Sequence, residues 1–345
     1  MLPTDTDFFE KIAQGTLWKS AALGLAHARV NRPYIEKSIK DLAAELRMAS
    51  PKPALVVSGG PSLHRRKHLE VLKAEGFQGH VIAADGSLGH CLRHGVVPDF
   101  VLTVDPDPHR IIRWFGDPRL HERPADDYFQ RQDIDPELNA NEIARNQELI
   151  ELVDRFGPQI TLVISTSASP EITERALSVG MRLYWWNPLY DDPSQLEGVS
   201  AALRREVNIP FMTTGGNVGS SCWAFAQAIL RADPVYMVGM DFSYPPGTDV
   251  YNTQYYEVLK ELYPESPARG LVTVQNPILG ETWLTDPAYF WYKMCFLRML
   301  ANAPGRTVNC TEGGILFGEG IDWMSFRDAL SGLASSSYES HPTQQ

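Results

Sequence analysis

The residues best suited to chemistry lie in short polar segments, most of them directly after an apolar run. Val56-Val57 gives way to Ser58-Gly59-Gly60-Pro61-Ser62, the run ending at Ala84 to Asp85-Gly86-Ser87, and the run ending at Val104 to Asp105-Pro106-Asp107. Later come Ser165-Thr166-Ser167, Thr213-Thr214-Gly215-Gly216-Asn217-Val218-Gly219-Ser220, Gly239-Met240-Asp241 and Asn309-Cys310-Thr311-Glu312-Gly313-Gly314. Two of these are glycine-rich and precede helical patterns. Free backbone N–H groups and a helix dipole at such a place suit an anion, above all a phosphate. Neither continues as Gly-Lys-Ser/Thr or reads GxGxxG, so an ordinary P-loop ATPase and an ordinary dinucleotide dehydrogenase are disfavoured. Asp105 and Asp107, flanking a proline, have the spacing to share a Mg²⁺ that neutralises a diphosphate, or equally to cap a turn.

Other constellations are weaker. His90 and His94 stand four apart but without the Glu of HExxH and, with His109, read as surface or packing histidines; no GxSxG elbow is present, and Asp99 reads as a strand entry. Cys91, Cys222, Cys295 and Cys310 are scattered without a CxxC pair, as reduced thiols would be. Tyr184-Trp185-Trp186 reads as core.

These segments need a scaffold that brings them together. Short apolar runs at 54–58, 80–84, 100–104, 160–165, 182–186, 235–238 and 306–309 read as strands. Helical spacing over 63–75, 88–94, 144–156, 170–179, 219–232, 288–301 and 322–330 alternates with them. That alternation predicts an α/β fold of the doubly wound, Rossmann-like kind, with a mostly parallel sheet. In such a sheet ligands sit beyond the carboxyl ends of the strands, where these loops fall. Residues 1–50 read as a helical leader and 51–330 as a nucleotide-binding core. Polar insertions fall at about 117–145 and 242–287, the second Tyr- and Pro-rich and long enough for a lid, and 331–345 reads as a disordered tail.

Composition bounds the partners. The chain has 345 residues, 43% of them hydrophobic, enough for a sizeable core. Its net charge of −11 argues against nucleic acid, and no run approaches the ~18 apolar residues of a membrane span. The acidic start lacks the features of a signal peptide, so a cytoplasmic location is the expectation.

The ordered set Gly59-Gly60-Pro61-Ser62, Ala84-Asp85-Gly86, Val97–Asp105, Thr214–Gly219 and Val238–Asp241 resembles the core of the motility accessory factors. It also resembles their smaller relatives, the 6-hydroxymethyl-dihydropterin pyrophosphokinases. Asn309–Gly314 is similar to a segment of the motility accessory factors in particular. The resemblance, over about residues 31–317, implies a Rossmann-like fold related to bacterial sialyltransferases. It implies a glycosyltransferase using a nucleotide-activated, CMP-linked donor of the sialic-acid (nonulosonic acid) type, with a protein or glycan acceptor. Carried over, Gly59, Gly60, Pro61 and Ser62 border the nucleotide phosphate, with Asp85 and Gly86 beside them. Thr214, Gly215, Gly216 and Asn217 close the other side, and Asp241 and Glu312 are the catalytic candidates. The chain has little room for the flanking domains of the motility accessory factors. A Mg²⁺-dependent diphosphokinase moving pyrophosphate from ATP to a pterin-like alcohol is the alternative, with Asp105 and Asp107 at the metal. A non-catalytic nucleotide-binding assembly factor is the third reading.

Overall fold

A computed structural model of the chain describes residues 20–123 and 142–338. Among the described residues, nine strands form one sheet in the order β11-β10-β7-β1-β2-β3-β4-β5-β6. They are β1 (Ala54–Val57), β2 (His80–Ala84), β3 (Phe100–Thr103), β4 (Thr161–Ser165), β5 (Arg182–Pro188), β6 (Phe211–Met212), β7 (Val235–Val238), β10 (Thr307–Asn309) and β11 (Ile321–Trp323). Every neighbouring pair is parallel. Helices lie on both faces, so a central strand such as β1 is buried from end to end and reads as continuous apolar sequence. Its side chains alternate between two cores. Leu55 and Val57 pack under one helical layer, and Ala54 and Val56 under the other. The predicted fold is therefore the observed one, and Trp185 and Trp186 are fully buried core residues.

The chain starts at the middle of the sheet and builds outward from β1 to β6. It then returns to place β7 against the opposite side of β1. The loops leaving β1 and β7 consequently diverge around a crevice, the topological switch point of an open α/β sheet.

Helices α1 (residues 20–31) and α2 (Ile39–Glu45) form the leader. It is fastened to the sheet: buried Asn31 donates to the carbonyls of Thr166 (3.0 Å) and Ala168 (2.8 Å) and accepts from Thr173 (2.9 Å). The helix expected over 63–75 is two helices, α3 (Ser62–Arg65) and α4 (His68–Glu75), because Lys67 between them is left-handed at φ 55°. Helix α5 (Asp85–Arg93) starts three residues earlier than predicted, so Asp85, Gly86 and Ser87 form its first turn. Of the excursion at 117–145, residues 124–141 lie outside the described residues. Helix α6 (Glu142–Phe156) follows, then α7 (Pro170–Ser178), whose start is set by Ser169 accepting from Glu171 N (3.3 Å) and by Pro170 in its first turn.

Helix α8 (Val199–Glu206) and strand β6, which is only two residues long, were not foreseen in the sequence. Helix α9 (Val218–Ala228) crosses back to the sheet centre, packing on β1, β2 and β3. The insertion after β7 holds helix α10 (Tyr256–Leu262) and an antiparallel hairpin, β8 (Val272–Gln275) with β9 (Thr282–Thr285). Helix α11 (Pro287–Leu300) is capped by Asp286, which accepts from Tyr289 N (2.8 Å). The closing segment corrects the reading of 322–330 as one helix. Its first residues pair with β10 as strand β11, and helix α12 (Phe326–Tyr338) continues through serines expected to be disordered. Residues 339–345 lie outside the described residues.

Candidate active site

The crevice between the β1 and β7 loops opens into a chamber of about 270 Å³. Its floor is set by glycines that no other residue can replace. Gly60 N donates to Gly239 O (2.8 Å), and a Cβ on Gly60 would lie 2.2 Å from Asp241 Oδ2 and 2.4 Å from that carbonyl. Gly239 has φ +67°, and its own Cβ would lie 2.2 Å from Ser58 O. The two loops thus interlock at backbone distance.

Asp241 is buried behind this contact. Its Oδ1 accepts from Ser62 Oγ (2.5 Å) and its Oδ2 from Ser62 N (3.3 Å). Burial pushes its carboxyl up to about 7, against the pull of the Ser62 hydrogen bonds and of Arg66 and Arg65. Ser62 is fully buried and spends its hydroxyl on Asp241. Gly59, Gly60, Pro61 and Asp241 line the chamber, whereas Ser62 supports it from beneath.

On the other flank, Asp85 and Gly86 line the chamber from the first turn of α5. Asp85 accepts from Gly86 N (2.7 Å) through Oδ1 and from Thr103 Oγ1 (2.8 Å) through Oδ2. Burial pushes it up to about 7, and the charge of nearby Asp105 adds to the effect. Asp105 keeps contact with solvent inside the crevice while protein encloses it. Desolvation raises its carboxyl, opposed by the Asp107 N hydrogen bond (2.8 Å) and by the charge of Arg110. Asp107 lies outside the chamber lining: its Oδ1 caps the turn by accepting from His109 N and Arg110 N (both 2.9 Å).

The glycine loop before α9 forms the opposite wall. Gly216 (φ +87°) packs on Tyr292, where a Cβ would come within 2.4 Å of the ring. Thr214 Oγ1 accepts from Gly216 N (3.2 Å), and Asn217 caps α9 by accepting from Ser220 N (2.9 Å). Gly216 and Asn217 line the chamber, Gly215 packs away from it against Met299 and Ser220, and Thr214 faces a second hollow. The starts of α5 and α9 both open on the chamber, and the positive ends of their dipoles favour an anion there. With Asp85 and Asp241 partly protonated near neutral pH, their repulsion of a phosphate is weakened.

Glu312 does not reach this chamber. It has φ +54°, and its Oε2 accepts from Phe326 N (3.2 Å) at the start of α12 and pairs with His68 Nε2 (3.3 Å). His68 holds its carboxyl below the ordinary value. The segment around it acts from behind: Gly313 packs on Ser62 Oγ and Gly314 on the Asp241 backbone.

Several lining residues escaped the sequence reading: Arg110, Trp114, Gln254, Tyr255, Tyr289 and Tyr292. The signal for two was present, since Tyr289 and Tyr292 stand three apart on one helix and so share a face. Tyr255 Oη lies 2.6 Å from Tyr292 Oη, Tyr289 donates to Gln254, and Gln254 N donates to Tyr244 Oη (3.0 Å). This network carries the insertion over the mouth of the crevice.

A second hollow of about 240 Å³ adjoins the first and shares Asp105, Gly216, Asn217, Val218 and Tyr292 with it. The site is one cleft of two chambers. Among the described residues, no group of three or more His, Cys, Asp or Glu side chains is arranged to hold a metal ion, and no helix is long and apolar enough to cross a membrane.

The structure defines an open α/β protein with a cleft at its switch point. Comparison with known proteins agrees. Residues 27–113, from the leader through β3 and the Asp105 loop, match the family described as 6-hydroxymethylpterin diphosphokinase MptE-like. The fold is similar to that of the MAf glycosyltransferase from Magnetospirillum magneticum AMB-1. The TM-score is 0.50 at 17% sequence identity, over 84% of this chain and 38% of that one. This chain therefore corresponds to less than half of that protein's length, and at such identity the likeness concerns the fold. Both resemblances read in the sequence are borne out. No protein with a curated description matches the sequence.

Proposed function

We propose that the cleft is the active site of a transferase that takes an activated group from a nucleotide-linked donor, the leading candidate being a CMP-linked sugar of the sialic-acid type. The observation that supports this reading is the convergence of the β1, β2, β3 and β7 loops and the α9 start on one chamber at the switch point. The Gly59-Gly60-Pro61 turn and the starts of α5 and α9 receive the phosphate, and the tyrosine wall covers the rest of the donor. Asp241 positions the phosphate loop through Ser62. Asp105, reaching both chambers, is the general base. The acceptor oxygen bonds to the anomeric carbon of the donor, the bond from that carbon to the phosphate oxygen breaks, and the hydroxyl proton passes to Asp105. This replaces both candidate bases read in the sequence, Glu312 because it caps α12 outside the lining and Asp241 because both its oxygens accept from Ser62.

A second reading, diphosphate transfer from ATP, draws on the match of residues 27–113 and on Asp85 and Asp105 lying close enough for their charges to interact. Mg²⁺ commonly binds through one or two carboxylates plus substrate phosphates. Asp85 and Asp105 would hold it, and it would neutralise the transferring phosphates.

Calorimetric titration of the whole chain with CMP and with ATP, each with Mg²⁺ and with EDTA, separates the two. Glycosyl transfer predicts saturable CMP binding that EDTA leaves unchanged. Binding of ATP alone, and only with Mg²⁺, overturns it in favour of the diphosphokinase. Binding of neither nucleotide removes both.

A further inference from the structure

The tyrosine wall of the first chamber hangs from a carboxylate that lines neither chamber. Asp286, between β9 and α11, is fully buried. Its Oδ1 caps α11 by accepting from Tyr289 N (2.8 Å), and its Oδ2 accepts from Tyr244 Oη (2.6 Å). Tyr244 is itself buried and pinned to β9: its N donates to Leu284 O (2.6 Å) and its O accepts from Leu284 N (3.0 Å). Its Oη accepts from Gln254 N (3.0 Å), and Gln254 Oε1 in turn accepts from Tyr289 Oη. The contacts close a ring that joins the start, middle and end of the insertion to the first turn of α11. Gln254 and Tyr289 line the chamber, whereas Tyr244 and Asp286 stand behind them.

The ring has a direction. An ionised carboxylate only accepts, so both bonds at Asp286 run into it. Burial pushes its carboxyl up to about 6, against the pull of the Tyr244 and Tyr289 hydrogen bonds, which leaves it charged at neutral pH. The Tyr244 hydroxyl spends its proton on Asp286 and turns a lone pair to Gln254 N, so that Gln254 Oε1 is held where Tyr289 Oη reaches it. We propose that Asp286 is the positioning residue of this wall, fixing Gln254 and Tyr289 against the ligand of the first chamber through Tyr244. The proposal rests on the reading of that chamber as a nucleotide site and adds a residue to it. Without the carboxylate the Tyr244 hydroxyl is left buried and short of its acceptor, which costs more than the bond itself contributes.

The test separates the wall from the helix. Serine is also a preferred N-cap and has a single side-chain oxygen, so Asp286→Ser keeps the α11 cap and removes the acceptor of Tyr244. Tyr244→Phe removes the same bond from the other side. In calorimetric titration of the full chain with CMP, and with ATP plus Mg²⁺, each variant is expected to weaken the nucleotide about fivefold, the worth of one hydrogen bond. The double variant is expected to lose no more than either single one, since both break the same contact. In hydrogen exchange without nucleotide, amides of residues 250–256 are expected to exchange roughly tenfold faster in either variant, with those of 290–300 unchanged. Unchanged affinity in both variants, additive losses, or exchange accelerated equally in α11 overturns the proposal. If the parent chain binds neither nucleotide, the transferase reading fails and the exchange decides alone: acceleration confined to 250–256 upholds the positioning role, and none overturns it.

Discussion

The cleft has two walls built on different principles. One consists of strand-end loops whose positions are dictated by the parallel register: β1, β2 and β7 lie side by side, and their loops must emerge together. Its contacts are backbone to backbone, and glycine is required where they interlock. The other wall is the tyrosine network of the insertion and α11, made by long side chains reaching in from elements with no place in the sheet. The first wall tolerates almost no change in volume. The second is held by individual hydroxyl contacts that can be removed one at a time.

Substitutions that respect this division should give graded effects. The largest is expected for Gly60→Ala, where the added methyl would lie 2.2 Å from the Asp241 carboxylate and 2.4 Å from the Gly239 carbonyl. Overpacking of this kind costs roughly 1–3 kcal/mol or more, and nucleotide binding should be lost with it. Thermal unfolding and calorimetry on the same sample check both, and an unchanged melting temperature would contradict the interlocked loops.

The carboxylates of the first wall supply a second, pH-dependent test. Asp85 is pushed up to about 7 from an ordinary 3.8, so between those values the folded chain holds a proton that the unfolded chain releases. Its contribution is therefore complete at acid pH and is lost as pH rises through 7. Asp85→Asn, which removes the charge and leaves an amide to bond Thr103, should gain stability relative to the parent between pH 5 and 8. The gain should reach up to roughly a few kcal/mol, each pKa unit being worth about 1.4. Denaturant midpoints at the two pH values measure the difference, and an equal offset at both would count against a buried, destabilised carboxylate.

The smallest effect belongs to the tyrosine wall. Tyr255→Phe removes one hydroxyl contact of 2.6 Å and leaves the ring packing intact. A loss of about 1 kcal/mol is expected in stability, with nucleotide affinity lowered several-fold at most. If Tyr255→Phe proved as damaging as Gly60→Ala, the contrast between the walls would fail.

The same contrast explains what the sequence made legible. Gly59-Gly60-Pro61, Asp85-Gly86 and Gly216-Asn217 were recognisable because the alternation of strand and helix places them at one edge of the sheet, and the structure brings them together there. Sequence order does not reveal which way a side chain turns. Ser62 turns beneath the chamber to hold Asp241, which lines it, Asp107 turns to its own backbone, and Glu312 turns to His68 and Phe326. The tyrosine wall was legible only as an aromatic-rich insertion, because its partners, such as Gln254 with Tyr289, meet across a fold that the intervening hairpin determines. Strand β6 was missed for a simpler reason: two strand residues carry no periodicity.

The margins of the sheet also have a consequence for how the protein behaves among its neighbours. A wide parallel sheet ends in rows of unsatisfied amide groups that invite further strands from other chains. Here the outermost strands are short, Phe211–Met212 on one side and Ile321–Trp323 on the other. They offer only two and three residues of open ladder, too little to template another strand. The sheet tapers at both margins, and that taper guards a broad, hydrophobic scaffold against polymerising edge to edge.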